Sequence, residues 1–235
     1  DAFFSALEAN ESWLQTVLPS EYSHRFAPRA ELDLPPGSYP EMQEWSGGDW
    51  RNFLRKYNES RDIYQEIKRV GQCVRAQLQH PHFDEALTHV LRAQANDALW
   101  HGVFGGLYLR HLRQALYREI ISAQVLLDGS KPFARTLDNH NSTVIENELQ
   151  SLGVRTGSGH VYLWNSKKAR HNILSTLRRY RETYHDADAP VDWHPRGALL
   201  DHFFGEGTTP ENFASARYAE QGDFCSEAWN LSTHN

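Results

Sequence analysis

Apolar positions recur at helical intervals through roughly the first half of the chain and then give way to short, glycine-bounded runs. Phe3, Phe4, Leu7, Trp13, Leu14, Val17 and Leu18 repeat mostly at three- and four-residue steps. That spacing predicts a short helical entry, stopped by Pro19, which has no N–H to give to a helix interior. Pro28 and Pro35-Pro36-Gly37 mark an irregular connection. Tyr39, Met42 and Trp45 then predict a short helix capped by Ser38, and Asp49 is placed to cap another through Phe53, Leu54 and Tyr57. Ile63, Ile67, Val70, Val74 and Leu78 form one apolar stripe, predicting an amphipathic helix over 60–79 that ends at His80-Pro81-His82. Phe83, Leu87, Val90, Leu91 and Gln94 predict the next helix. Leu109, Leu112, Leu116, Ile120, Ala123 and Leu127 predict a third long one, closed by Asp128-Gly129-Ser130.

The pattern changes after this point. Asp138-Asn139-His140-Asn141-Ser142 reads as a turn cluster, and Thr143–Leu149, Gly153–Thr156 and His160–Trp164 read as short strands. One more helix is expected after Lys168, with Ile173, Leu177, Tyr180 and Tyr184 on one face. Arg178, Arg179 and Arg181 on the other read as a solvated or interdomain face. The expected fold class is α+β: a barrel-exit segment and linker over 1–48, a three-helix-bundle-like domain over 49–137, and the opening of a β-rich domain over 138–235.

Composition narrows the classes. A hydrophobic content of 40% with 12% aromatics is globular, and a net charge of −6 gives no nucleic-acid footprint. No apolar run is long enough to span a bilayer. Cys73 and Cys225 stand far apart, indicating neither a disulfide framework nor a cysteine zinc site. His80, His82 and His89 invite a metal reading, but Pro81 and the helix junction favour a surface turn, so no metal or cofactor is expected. Residue 1 is Asp and the one methionine is Met42, so the chain reads as a piece of something longer.

The richest chemistry lies in Gln94–Tyr108. On a helix, Asp97, Trp100 and His101 share one face at i, i+3 and i+4, and Gly102, Gly105 and Gly106 allow a sharp turn or a close approach. A carboxylate, an imidazole and an indole together suit a polyhydroxyl ligand. The competing reading is a helix end, with Trp100 in the core and the polar groups satisfied locally. Similarly, Tyr39 and Trp45 either face a ligand groove or simply pack.

The run Ala93-Gln94-Ala95-Asn96-Asp97-Ala98-Leu99-Trp100-His101-Gly102, continuing through Val103-Phe104-Gly105-Gly106-Leu107-Tyr108, resembles the fifth sequence region of glycoside hydrolase family 57, which holds 4-α-glucanotransferases and α-amylases. Ser38-Tyr39 with Glu41-Met42 and Glu44-Trp45 resembles the family's stretch after its barrel. Trp50-Arg51-Asn52-Phe53 resembles the start of its helical domain. Asp192-Trp193, Leu200-Asp201-His202-Phe203 and Gly222-Asp223-Phe224 resemble the early part of its C-terminal β-sandwich. The family pattern usually has Cys at Ala95, Tyr at Leu99 and Pro at Arg110.

The resemblance implies a retaining enzyme whose Glu nucleophile and Asp acid/base stand on a (β/α) barrel that would precede Asp1. It implies no catalytic role for any residue here and a substrate-binding role for Asp97, Trp100 and His101, with Asn96, Tyr39 and Trp45 beside them. The implied partner is an α-glucan, with no nucleic acid or membrane; a cytoplasmic location and a homodimer are compatible with it. Two functions stand: part of an α-1,4-glucan transferase or amylase, or a non-catalytic carbohydrate-binding or scaffold protein.

Overall fold

The computed structural model describes residues 1–35, 37–128, 134–139 (backbone only) and 142–226. The chain divides into two compact units, residues 1–37 and 38–235. In the first, α1 (Ala2–Ala9) and α2 (Pro19–Arg25) bury no residue. Pro19 begins a helix instead of ending one, because at the first helical position its missing N–H costs nothing. The entry helix stops earlier, at Asn10, whose amide donates to the Ala6 carbonyl and accepts from the Trp13 indole.

The second unit opens with α3 (Pro40–Ser46). Its cap position is Tyr39 with Pro40 at the first turn, so Ser38 does not cap it, and Gly47 ends it at φ 70°. The Asp49 carboxylate accepts from the Arg51 N–H at 3.0 Å and opens α4 (Arg51–Lys56). Three longer helices follow: α5 (Asn58–Arg75), α6 (Phe83–Arg92) and α7 (Arg110–Asp128). The predicted stripe of α5 is its buried face, except that the helix stops at Arg75 and leaves Leu78 exposed. Ile63, Val70 and Val74 pack with Val90 of α6 and Ile120 and Ile121 of α7 in one core. Each such side chain contributes on the order of 1.5–3 kcal/mol by leaving water.

The sheet is a five-stranded antiparallel meander: β1 (Ala134–Asn139), β2 (Ser142–Asn147), β3 (Gln150–Arg155), β4 (Val161–Ser166) and β5 (His171–Asn172). It is the one sheet among the described residues. β1 occupies backbone that the turn cluster was expected to begin; His140 and Asn141 lie outside the described residues, as do Pro36, Gly129, Ser130 and 227–235. A buried polar seam joins sheet to helices. Glu146 of β2 accepts from Arg69 of α5 and Gln124 of α7, and Lys167 reaches Asp128 at 2.6 Å and Glu146 at 3.6 Å.

The helix expected after Lys168 does not form. The chain makes a turn, then β5, and 174–182 has no regular structure. Side chains pull it out of helical shape: Asn172 Oδ1 accepts the Ser175 N–H at 2.5 Å, the Tyr180 hydroxyl reaches Glu59 at 2.6 Å, and Arg179 grips Asp192. The arginines therefore knit this segment together; Arg178 donates from Nε to the Asp192 carbonyl and Arg181 donates to the carbonyls of Asp186, Ala187 and Ala189. One short helix follows, α8 (Pro210–Ala214), with a Thr209–Asn212 capping box. No helix among the described residues is long and apolar enough to cross a membrane.

Candidate functional site

Gln94–Tyr108 is not one helix. It is a 3₁₀ turn (Asn96–Leu99), an extended Trp100, a glycine bend, and a second 3₁₀ turn (Gly106–Tyr108) leading to α7. Asp97, Trp100 and His101 therefore do not share a helical face. The glycines explain the break. Gly105 and Gly106 take φ of 87° and 46°, which a side chain disfavours. A Cβ on Gly102 would meet the Trp100 ring at 2.5 Å.

Two layers result. The lower layer is buried. Trp100 packs against Phe53 at 5.7 Å and Tyr39 at 6.1 Å, in a cluster with Met42, Tyr57, Leu107 and Tyr180. With the residue only 9% exposed, little of the indole face is open to a sugar. His101 is buried beside it. Its Nδ1 stands 3.2 Å from the Gly105 carbonyl, which can only accept, so Nδ1 carries the proton and Nε2 accepts from the Tyr184 hydroxyl at 2.9 Å. Trp45 and Tyr108 flank the imidazole edge-to-face at 5.0 and 4.5 Å. Burial pushes the His101 pKa down, so the ring is neutral.

Under this pair lies Glu182, a residue with no signal in the sequence pattern. Its carboxylate accepts from Tyr57 at 2.8 Å and Tyr108 at 2.7 Å and pairs with Lys56. Burial works to raise its pKa, but donation from Lys56, Tyr108 and Tyr57 outweighs that and holds it below the ordinary value. Burial and the same carboxylate push both phenols up, so they stay protonated donors.

The upper layer is exposed. Asp97 is exposed and its side chain makes no hydrogen bond or ion pair among the described residues, and its charge reaches the half-exposed Tyr39 phenol. Some burial, then the charges of Glu41 and Asp97, raise the pKa of the Tyr39 phenol. Val103 and Phe104 project from the glycine bend, the latter 84% exposed. Asn96 belongs elsewhere: it lines a 290 Å³ pocket with Trp50, Tyr64 and Lys68 that none of the other five candidates enters.

Among the described residues, His80, His82 and His89 do not form one ligand group: His89 pairs with Glu119 at 2.6 Å, while the His80 and His82 rings stand 5.8 Å apart on the turn after α5. His202, Glu220 and Cys225 do bring ligand-type atoms within 4.8 Å of one another. Glu220 is already engaged, by His202 at 2.7 Å and by the N–H groups of Phe203 and Gly222.

Two family models match the chain: the middle domain of α-amylase/4-α-glucanotransferase over residues 48–127, and the C-terminal domain of α-amylase/4-α-glucanotransferase over residues 186–235. An α-amylase of Pyrococcus horikoshii is 32% identical over 97% of this chain and 41% of its own length. A 4-α-glucanotransferase of Thermococcus kodakarensis is 32% identical over 98% and 44%. The crystal structure of 4-α-glucanotransferase from Thermococcus litoralis superposes with a TM-score of 0.76 at 31% identity, covering 99% of this chain and 42% of that one. The chain thus spans about two fifths of the length of these relatives.

Proposed function

The chain belongs to the α-amylase/4-α-glucanotransferase family of glycoside hydrolases, and from that premise we propose that it serves an enzyme acting on α-1,4-glucans, supplying sugar contacts and not the catalytic carboxylate pair. The observation that carries this reading is the exposed Asp97 carboxylate, free of protein partners among the described residues, whose charge acts on the half-exposed Tyr39 phenol. An acceptor-only group next to a hydroxyl donor suits vicinal sugar hydroxyls. Trp100, His101 and Trp45 act beneath them, fixing the bend that presents Asp97. Asn96 is assigned no contact.

The retaining reaction of such enzymes needs one carboxylate as nucleophile and one carboxyl as acid, then base. Glu59 and Asp62, which share a cavity, are poor candidates. Asp62 is ion-paired to Arg155 at 2.6 Å, and Glu59 accepts from Tyr180 and from the Arg178 N–H. In this reading the pair stands in the part of the enzyme that the relatives carry beyond the matched two fifths. Transfer or hydrolysis is then decided by whether a sugar hydroxyl or water reaches the covalent intermediate.

The test uses Asp97→Asn in an enzyme containing this chain, with kcat/KM on maltoheptaose measured beside the melting temperature. A carboxylate–hydroxyl hydrogen bond is worth about 1.5–3 kcal/mol, so kcat/KM should fall roughly ten- to a hundredfold with the melting temperature unmoved. Unchanged kinetics would remove the sugar contact. The 235-residue chain alone should not turn over maltoheptaose; turnover would place the catalytic pair within it.

A further inference from the structure

A second cavity, of about 210 Å³, lies among α5, α7, the β3–β4 end of the sheet and the irregular segment 175–196. Five arginines line it, Arg61, Arg113, Arg155, Arg178 and Arg196, against two carboxylates, Glu59 and Asp62. Those carboxylates are committed as described above. Asp192, behind the wall, answers Arg196 at 2.7 Å. An excess of positive charge is left over.

The unsatisfied groups can all donate: two are arginine N–H groups, which donate only, and the third is a serine hydroxyl. Arg113 is 4% exposed; its two terminal nitrogens donate to the Leu107 and Ser175 carbonyls, while its buried Nε–H has no partner. Ser175 is 7% exposed and its buried hydroxyl has none. Arg178 uses only its Nε, donating to the Asp192 carbonyl at 2.6 Å, so its two terminal nitrogens are without a partner among the described residues. A buried polar group left unpaired costs about 1–3 kcal/mol, more when charged, so the two such groups of Arg113 and Ser175, with the unpartnered and only partly buried terminal nitrogens of Arg178 on the same cavity, call for an acceptor-rich ligand. A neutral sugar brings a donor with nearly every acceptor. A phosphate group brings acceptors and charge, and suits the guanidinium fork.

We propose that this cavity is an oxyanion site that takes phosphate, free or as the ester of a small sugar, through Arg113, Ser175 and Arg178. It is independent of the glucan surface at Asp97, and its volume admits a phosphate-sized group or a small ester, not an oligosaccharide.

The experiment is calorimetric titration of the chain at constant ionic strength with inorganic phosphate, glucose 1-phosphate and glucose, on wild type and Arg178→Gln. Saturable phosphate binding is expected, weakened about tenfold or more in the variant, as for loss of one charge-assisted contact. Glucose should not bind there. Tighter binding of glucose 1-phosphate than of phosphate assigns the ester; equal or weaker binding assigns free phosphate. Should Arg178→Gln fail to fold, phosphate should protect Arg178 of the wild type from phenylglyoxal, read by peptide mass. No saturable phosphate binding, undiminished binding in the folded variant, absent protection, or binding of glucose with equal strength each overturns the site.

Discussion

The Tyr184 hydroxyl donates to His101 Nε2 at 2.9 Å, joining a residue of the glycine bend to one 83 positions later. This bond fixes the tautomer of a buried imidazole and ties the segment after β5 to the turn that carries Asp97. Tyr184→Phe keeps the ring against Trp45 but leaves Nε2 without its donor. We expect a loss of about 1 kcal/mol by urea unfolding, the worth of one neutral hydrogen bond with part of the desolvation cost. An unchanged midpoint would show that solvent replaces the phenol freely.

Glu182 is the hub beneath it. Its side chain is 2% exposed, and it gathers Lys56, Tyr57 and Tyr108. Glu182→Gln removes the charge that orients three donors and turns an amide N–H toward one of them, for a cost of about 3 kcal/mol. The sign with pH follows from the lowered folded-state pKa. The stabilisation is complete above the ordinary glutamate value and disappears as pH falls through the lower folded value. Denaturation curves of wild type and variant should therefore converge on the acid side. A constant gap across that range would deny Glu182 its charge-dependent role.

Much of this architecture was legible because burial imposes a period. The stripes at Ile63–Val74 and Leu109–Leu127 became α5 and α7, and Gly102, Gly105 and Gly106 announced a bend. The period also misled. Leu177, Tyr180 and Tyr184 repeat like a helix face, yet each tyrosine stands where it does because its hydroxyl reaches a distant partner, Glu59 or His101. Helical spacing put Asp97 with Trp100, whereas the chain leaves its 3₁₀ turn at an extended Trp100, which leaves the first exposed and the second buried. Glu182 had no pattern to reveal it, since its partners come from positions 56, 57 and 108.

Gly106 tests the bend directly. Its φ is 46°, and a Cβ there would sit 2.2 Å from the Trp100 carbonyl oxygen, a backbone atom already accepting from Leu107. Gly106→Ala should cost at least about 2 kcal/mol, combining left-handed strain with a clash that no side-chain rotation relieves. Gly157→Ala is the control: nothing lies within 4 Å and its φ is not positive, so a change within about 0.5 kcal/mol is expected. Equal midpoints for the two variants would mean that the bend yields easily.

His160 gives the sharpest pH dependence. Burial, then the charge of Arg155, push its pKa from 6.5 down to about 4. The ring is sealed against Gly197, where a Cβ would lie 2.3 Å from it, and its Nδ1 is 2.8 Å from the Ser158 hydroxyl. Between those two values the unfolded chain binds a proton that the folded chain refuses. Stability therefore rises with pH through the window and is lost as pH falls from 6.5 toward 4, by up to about 3 kcal/mol. His101 and His194 are also pushed down by burial and add in the same direction, so the wild-type slope alone does not isolate one ring. His160→Gln retains a polar group for Ser158 and removes the titration. Subtracting its unfolding free energies from those of wild type, point by point from pH 7 to pH 4, should leave a difference that shrinks or reverses as the solution becomes acidic. A difference flat with pH would mean that His160 is protonated in the folded protein as readily as in the unfolded chain.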